Sequence, residues 1–309
     1  MNTETEPESY EVAIIGGGAA GLSAALVLGR ARRRVIVIDA GQPRNAPAAH
    51  MQGFLSRDGT PPRELLELGR AEVLHYGVEL VTDRVVDARD GFTLHLLSGR
   101  IVEARHVLLA TGAGDVLPVG IEGAGARWGR DFLHCPYCHG WEVRDRPVGV
   151  LGSVEHAHLL RQWTDDVTLF THTATVTDAE RATLHARGIA VVDGTVERLV
   201  VEDDRLRAVQ LAGGRTVERE ALFMRPALRA NLDNPAVLLG CELREDGLVR
   251  TGADGRTSVA GLWAAGNATN PRAQVITAAG EGSAAAIAIN TELVQADIDA
   301  AGRALPTAA

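Results

Sequence analysis

Lysine is absent from this sequence, and cysteine is scarce. All 31 basic residues are arginine, which excludes a Schiff base on lysine and a phosphate-binding loop of the Walker A type. The 309 residues contain only Cys135, Cys138 and Cys241, too few for the disulfide framework of a small secreted protein.

Long apolar runs and an excess of positive charge are also missing. No stretch reaches the roughly 18 uninterrupted apolar residues of a transmembrane helix, and the net charge of −9 argues against nucleic acid as the main ligand. The first ten residues are polar and acidic, unlike a signal peptide, so we expect a cytoplasmic protein that binds neither membrane nor nucleic acid. The length predicts two domains.

A strand–turn–helix–strand pattern near the start predicts a dinucleotide site, although such a turn can also bind nothing. Gly16, Gly18 and Gly21 stand in G-x-G-x-x-G register after an apolar run. Gly16 permits the tight turn, Gly18 lets the backbone approach a pyrophosphate, and Gly21 lets helix and strand pack closely. Asp39 ends the next apolar run, where an acid can bond ribose hydroxyls. The other predicted contacts of this motif are Ala19, Ala20 and Ala40.

A Cys-x-x-Cys motif predicts thiol–disulfide chemistry at Cys135 and Cys138, because the spacing lets the two sulfurs bridge in a small ring. Zinc would need two further ligands, and Cys241 is more than 100 residues away. A c-type haem attachment site or a structural disulfide could also account for the spacing, and both fit poorly with a cytoplasmic chain. We therefore predict a redox-active pair and no metal.

The order of the motifs GGGAAG, ATGA, CPYCHG, AAGN and RAQVITAAG resembles the low-molecular-weight thioredoxin-reductase family over nearly the whole chain. The resemblance implies an α/β protein with two Rossmann-like domains, the second inserted into the first. The FAD-binding domain would comprise residues 1–115 and 245–309, and the pyridine-nucleotide-like domain carrying the cysteine pair residues 116–244. The family also leads us to expect a homodimer.

The resemblance also implies which residues hold FAD. The strand before Gly266 and Asn267 would deliver them to the ribityl-phosphate side, and the family usually has Asp where this chain has Asn267. A helix opening at Gln274 and Val275 would face the isoalloxazine ring, where its dipole stabilises the reduced flavin anion. The remaining implied contacts are Ala110, Thr111, Gly112, Arg44, Asn45 and His50.

The residue after the second cysteine is unusual. Ordinary family members have Asp there, and this chain has His139, followed by Gly140, Trp141 and Glu142. The motif is similar to a subgroup that includes the dithiol oxidases closing the disulfides of gliotoxin, holomycin and romidepsin-type products. The resemblance implies that Cys138 faces the flavin and Cys135 exchanges with substrate. His139 could accept thiol protons near neutral pH or merely cap a turn, and Trp141 could wall a substrate pocket or be an ordinary core residue.

The second domain lacks two sequence features that would bind NADPH: the middle glycine of a dinucleotide motif and the arginines that would contact the 2′-phosphate. Val154 stands where the dinucleotide motif needs its middle glycine, although Gly152 and Ala157 match the outer positions. No Arg or Lys occurs between Arg161 and Arg181, where a 2′-phosphate would need arginine partners. The sequence therefore predicts that the nucleotide site has been lost.

These patterns together predict an FAD-dependent dithiol oxidase that forms a disulfide in a small molecule and passes the electrons to oxygen. A second hypothesis is a disulfide reductase acting on a small redox protein and fed by NADPH or by a donor such as ferredoxin. A third is a flavin-bound redox sensor.

Overall fold

The computed structural model describes residues 7–89, 91–230 and 235–304. In chain order the first elements are β1 (Glu8–Ile15), α1 (Ala19–Arg30), β2 (Val35–Asp39), α2 (Pro62–His75), β3 (Glu79–Thr82), β4 (Val85–Arg89), β5 (Thr93–Leu96), β6 (Ile101–Leu109), β7 (Ala113–Val116), α3 (Ala124–Arg127), β8 (Phe132–Leu133) and α4 (Pro136–His139). They are followed by β9 (Val148–Leu151), α5 (Val154–Leu160), β10 (Val167–Phe170), α6 (Asp178–Ala186), β11 (Ala190–Val192), β12 (Val196–Glu202), β13 (Arg205–Leu211), β14 (Thr216–Glu218), β15 (Ala221–Met224), β16 (Ala227–Ala230), α7 (Pro235–Leu238), β17 (Leu262–Ala264) and α8 (Val275–Arg303).

The chain forms two compact units. The first comprises residues 1–44, 63–114 and 228–309, and the second comprises residues 45–62 and 115–227. The predicted domain limits stay a prediction. This grouping places residues 45–62 and residue 115 with the second unit, and the described residues 228–230 and 235–244 with the first.

The first unit is built on a seven-stranded sheet in the order β3-β2-β1-β6-β5-β4, with β17 also paired to β6. β1 pairs in parallel with β2 and β6, while β4 and β5 run antiparallel. Both faces of β1 are buried: Val12 and Ile14 lie in one apolar cluster with residues of α1 and α8, and Ala13 and Ile15 lie in another. An uninterrupted apolar run is what a parallel strand covered on both sides requires.

The second unit is built on a five-stranded parallel sheet in the order β11-β10-β9-β15-β8, with a separate antiparallel meander of β12, β13 and β14. The helices α5 and α6 alternate with its strands, as right-handed crossover connections demand. The Asp203–Asp204 turn between β12 and β13 is held by Arg127, a buried side chain that bonds Asp204 and Asp131.

Candidate functional site

The cysteine pair is held by a single helical turn in the second unit. Cys135 and Cys138 form a disulfide across α4, with their Cα atoms 5.2 Å apart. Pro136 occupies the first helical position, where its missing N–H costs nothing, and the amide of Cys138 donates to the carbonyl oxygen of Cys135 over 3.1 Å. Gly140 ends the turn against Trp163, because a Cβ at position 140 would lie 2.8 Å from the indole ring. The pair can open and re-form by thiol exchange.

His139 is half-buried directly beside this pair. Burial lowers the pKa of His139 below its ordinary value, and the carboxylate of Glu142 partly opposes that shift. The imidazole is therefore neutral at pH 7 and can take up a proton, and Glu142 would stabilise the imidazolium that results. The sequence motif included both His139 and Glu142, but it indicated a role in proton transfer for His139 alone.

We expect Glu142→Gln to move the acid limb of the pH–rate profile for flavin reduction by dithiols modestly to lower pH. Removing the negative charge lowers the pKa of His139 further, so the base form persists to more acidic pH. Rates measured from pH 5 to pH 8 in both proteins test this. His139→Gln should remove the limb and slow the reaction about a hundredfold. If the acid limb of the pH–rate profile stays in place in His139→Gln, the group that titrates is not His139, and the assignment is wrong.

The glycine-rich turn between β1 and α1 has the geometry that a pyrophosphate needs. Gly16 has φ +109°, and a Cβ there would lie 2.3 Å from the carbonyl oxygen of Ala110. A Cβ on Gly21 would lie 1.9 Å from the carbonyl oxygen of Gly16, whereas a Cβ on Gly18 would meet nothing within 4 Å. Gly18 caps α1 without a side-chain hydrogen bond, so the cap residue itself does not occupy the N–H groups of the first turn. The space and the dipole fit a phosphate group.

Asp39 lies at the end of β2, next to this turn, and has a partner that the sequence did not reveal. Its Oδ2 accepts a hydrogen bond from Arg70 on α2 over 2.9 Å, and its Oδ1 accepts one from the amide of Gly41 over 3.2 Å. The pairing holds the carboxylate in one position beside Gly17, where any Cβ would lie 2.7 Å from the carboxylate carbon. Asp39 and Arg70 are 31 positions apart in the sequence, which explains why no local pattern indicated this contact.

Asn267 lies in the loop before α8 and fixes its shape. Its Nδ2 donates to the carbonyl oxygens of Asn270 over 2.9 Å and Ala273 over 3.1 Å, and its Oδ1 accepts from Arg44 over 3.3 Å. A carboxylate cannot donate, so the Asp that is usual in the family could make neither of the first two bonds. The structure thus brings together two of the predicted cofactor contacts, Arg44 and Asn267.

Glu281, on the second turn of α8, completes this loop and was also missed. Its two carboxylate oxygens accept from the amide of Gly266 over 2.9 Å and from Nδ2 of Asn270 over 2.7 Å. α8 begins at Val275 as the sequence predicts, with Gln274 as its N-terminal cap. An acid one to two turns inside a helix that follows a glycine loop is the signal that could have identified Glu281.

The other predicted cofactor contacts divide between the units. In the first unit, Ala19 opens α1, Ala20 packs under Gly282, Ala40 follows β2, and Ala110, Thr111 and Gly112 follow β6. Asn45 and His50 belong to the second unit, where Nδ1 of His50 donates to the carbonyl oxygen of Gly59 over 3.0 Å. The contact of Asn45 and His50 with a cofactor stays a prediction.

The carboxyl edge of the parallel sheet in the second unit is where a nucleotide would bind in this class of fold. After β9 the chain turns through Gly152, with φ +66°. Ser153 then caps α5, its hydroxyl accepting the amide of His156 over 3.3 Å, so an N–H group that could serve a phosphate is already bonded. Val154 packs partly against the apolar core. The loss of the nucleotide site that the sequence predicts from Val154 stays a prediction, and the Ser153 cap is a second feature that favours it.

An ion pair crosses the same edge. Glu155, in the first turn of α5, bonds Arg225 over 2.8 Å, and Arg225 follows β15, the strand next to β9. The carboxylate places negative charge where the helix would otherwise attract a phosphate, and the guanidinium is engaged by its partner.

The turn after β10 offers no cation to a 2′-phosphate. Nδ1 of His172 accepts the amide of Val196 over 3.1 Å, and burial lowers the pKa of His172, so the ring is neutral. The hydroxyl of Thr171 accepts the amide of Gly194 over 3.4 Å, and Asp193 pairs with Arg181 over 2.6 Å. The acid that the structure adds near this turn is Asp193, which follows β11 and engages the guanidinium of Arg181.

Within residues 7–89, 91–230 and 235–304, no cluster of three or more His, Cys, Asp or Glu side chains could hold a metal ion. Among the helices of these ranges, none has the length and apolar character needed to cross a membrane.

A family model described as pyridine nucleotide-disulphide oxidoreductase matches residues 10–282. The chain belongs to this family. Thioredoxin reductase sirT of Leptosphaeria maculans is 30% identical, covering 96% of this chain and 98% of that protein. Thioredoxin reductase tcpT of Claviceps purpurea is 33% identical over 82% of this chain and 85% of its own.

Solved structures agree with this assignment. The crystal structure of HlmI has 53% sequence identity and a TM-score of 0.91, covering 96% of each chain. An oxidoreductase from Agrobacterium tumefaciens has 35% identity and a TM-score of 0.87, covering 93% of this chain and 99% of its own. The predicted resemblance to the thioredoxin-reductase family and the α/β fold of two Rossmann-like parts are confirmed. The protein is a thioredoxin-reductase-like oxidoreductase of a flavoprotein family that acts on sulfur groups.

Proposed function

We propose that this member of the pyridine nucleotide-disulphide oxidoreductase family is an FAD-dependent dithiol oxidase. It would close a disulfide in a small-molecule dithiol through Cys135 and Cys138 and use oxygen as the final electron acceptor. The observation that carries the proposal is the carboxyl edge of the second unit, where Ser153 caps the helix and the guanidinium groups of Arg225 and Arg181 are engaged by Glu155 and Asp193. NADPH phosphates are disfavoured there, so electrons enter from the dithiol.

The residues of the first unit fit the phosphate and ribose groups of FAD. The turn at Gly16, Gly18 and Gly21 would hold the pyrophosphate, Asp39 with Arg70 the adenosine ribose, and the loop at Asn267 the ribityl side. FAD, when bound, supplies the capacity to take two electrons from the reduced cysteine pair and give them to oxygen.

The exchange at the cysteine pair proceeds in two balanced steps. A substrate thiol gives its proton to His139, and the thiolate attacks Sγ of Cys135, breaking the disulfide and releasing Cys138 as a thiolate. The second substrate thiol then attacks the substrate sulfur of the mixed disulfide. This closes the substrate disulfide and releases Cys135, and the proton of the attacking thiol passes to Sγ of Cys135. The substrate has lost two electrons and two protons. The reduced cysteine pair holds the two electrons, His139 holds one proton and Cys135 holds the other.

Stopped-flow mixing under anaerobic conditions tests the proposal. Dithiothreitol should reduce the bound flavin, and the monothiol 2-mercaptoethanol, the matched chemical control, should do so far more slowly, because closing its disulfide takes two molecules. NADPH and NADH should be at least about a hundredfold slower than dithiothreitol. Admitting oxygen should reoxidise the flavin and yield one hydrogen peroxide per disulfide. Fast bleaching by NADPH with none by dithiols contradicts the proposal.

A disulfide reductase is the second candidate, and the names of the relatives favour it, since sirT and tcpT are both called thioredoxin reductase. A reductase would need NADPH or another donor to reduce the flavin in the same stopped-flow measurement. The traces therefore separate the two functions.

A further inference from the structure

Two large aromatic side chains beside the redox pair face solvent. Tyr137, between the two cysteines, is 67% exposed, and Trp141, three residues after Cys138, is 65% exposed. Tryptophan carries the largest apolar surface of any side chain, and an exposed one is characteristic of binding surfaces. The exchange of thiols at the cysteine pair gives Trp141 no role.

The chain around Trp141 is firmly anchored, so the exposure of the indole does not arise from a loose loop. Val143 is buried in the apolar core of the second unit. On the other side, Gly140 is packed on Trp163, and the amide of Asp145 donates to the carbonyl oxygen of Trp163 over 2.9 Å. With both flanks fixed, the fold holds Trp141 on the surface.

One face of the indole already has a partner. The guanidinium carbon of Arg144 lies 4.0 Å from the ring centroid of Trp141, and Nη1 of Arg144 donates to the carbonyl oxygen of Trp141 over 2.7 Å. The cation–π contact and the hydrogen bond fix the guanidinium in place. No residue of the described ranges accepts from its other donors, which leaves them available to an oxygen of a ligand.

We propose that Trp141 and Arg144 form a recognition platform for dithiol substrates whose thiols are carried on a planar, carbonyl-bearing scaffold. The planar part would stack on the free face of the indole, and a carbonyl or carboxylate oxygen would accept from Arg144. This rests on the proposed oxidase function and specifies its substrate class. Trp141 and Arg144 follow directly on the Cys-x-x-Cys-His-Gly motif, so the two residues are close in the sequence to the sulfurs with which the substrate thiols must exchange.

Two amides of dihydrolipoic acid test the platform, because they share the same dithiol. The N-phenyl amide has a planar ring, and the N-cyclohexyl amide has a ring of similar size that cannot stack. Wild type should show kcat/KM about fivefold higher for the phenyl amide. Trp141→Ala should bring the two values together, and Trp141→Phe should keep most of the preference. The ratio is insensitive to general damage at the cysteine pair, since both amides would suffer equally.

Arg144→Gln should raise KM for both amides about threefold, through the lost bond to the carbonyl oxygen. Arg146→Gln, the matched control, removes an exposed arginine two residues away that is not part of the platform, and it should leave both KM values as in wild type. Equal kcat/KM for the two amides in wild type, or a preference that survives Trp141→Ala, overturns the proposal.

Binding is measured separately from turnover by titrating the oxidised N-phenyl amide into the protein and following tryptophan fluorescence. If wild type oxidises no dithiol but still binds this disulfide through Trp141, the oxidase function fails while the platform stands. If Trp141→Ala leaves binding unchanged and instead converts a dimer to a monomer in sedimentation equilibrium, the face is an interface between copies of the chain, and the platform is rejected.

Discussion

Replacing both redox cysteines in a Cys135→Ser/Cys138→Ser variant is expected to lower the rate of dithiol oxidation at least about a thousandfold. Serine has the same shape but neither bridges nor exchanges, so electrons can no longer leave the substrate by this route. Flavin reduction by dithiothreitol in the stopped-flow instrument is the direct measurement. The variant should keep its flavin and its thermal stability, since the pair lies in a solvent-accessible turn.

The single variants reveal which sulfur meets the substrate. Cys138→Ser leaves Cys135 as a thiol and should accumulate a mixed disulfide with the linear disulfide of 2-mercaptoethanol, releasing one 2-mercaptoethanol, and mass spectrometry of the intact protein detects this adduct. Cys241→Ala is the control: Cys241 is buried in the first unit, and burial raises the pKa of its thiol, so this variant should oxidise dithiols normally. Full activity in the double variant would show that the pair is not on the path.

The second large effect is expected at the glycine-rich turn, where two neighbouring glycines should respond differently. In Gly21→Ala the new Cβ meets the carbonyl oxygen of Gly16 at 1.9 Å, and a backbone atom cannot move aside. We expect this variant to lose about 2–4 kcal/mol of unfolding free energy and to be purified without flavin. In Gly18→Ala nothing lies within 4 Å of the new Cβ, so the protein should fold with an unchanged midpoint while binding FAD about tenfold more weakly.

Gly280→Ala is the matched control, because its Cβ also meets nothing within 4 Å and it lies in the exposed interior of α8. This variant should gain roughly 1 kcal/mol from helix propensity and bind FAD as wild type does. Thermal unfolding and the flavin-to-protein absorbance ratio report both quantities. Retention of flavin by Gly21→Ala together with normal affinity in Gly18→Ala would mean that the turn does not hold the cofactor.

The sequence by itself determined the local elements of this protein. The apolar run of β1 and the glycine register that follows it both depend on residues a few positions apart. Side-chain periodicity and the steric freedom of glycine act over that range, and a single sequence displays them directly. The motifs with their order along the chain also sufficed to indicate the family.

Only the tertiary structure decided which distant residues meet. Arg70 reaches Asp39, Glu281 closes the loop at Gly266, and Arg225 pairs with Glu155 across two neighbouring strands. Each contact joins segments brought together by sheet order, which is set by the packing of the whole core and not by any local pattern. For the same reason the sequence showed Val154 at the nucleotide edge but could not show that its side chain packs partly against the apolar core, or that Glu155 beside it pairs with Arg225.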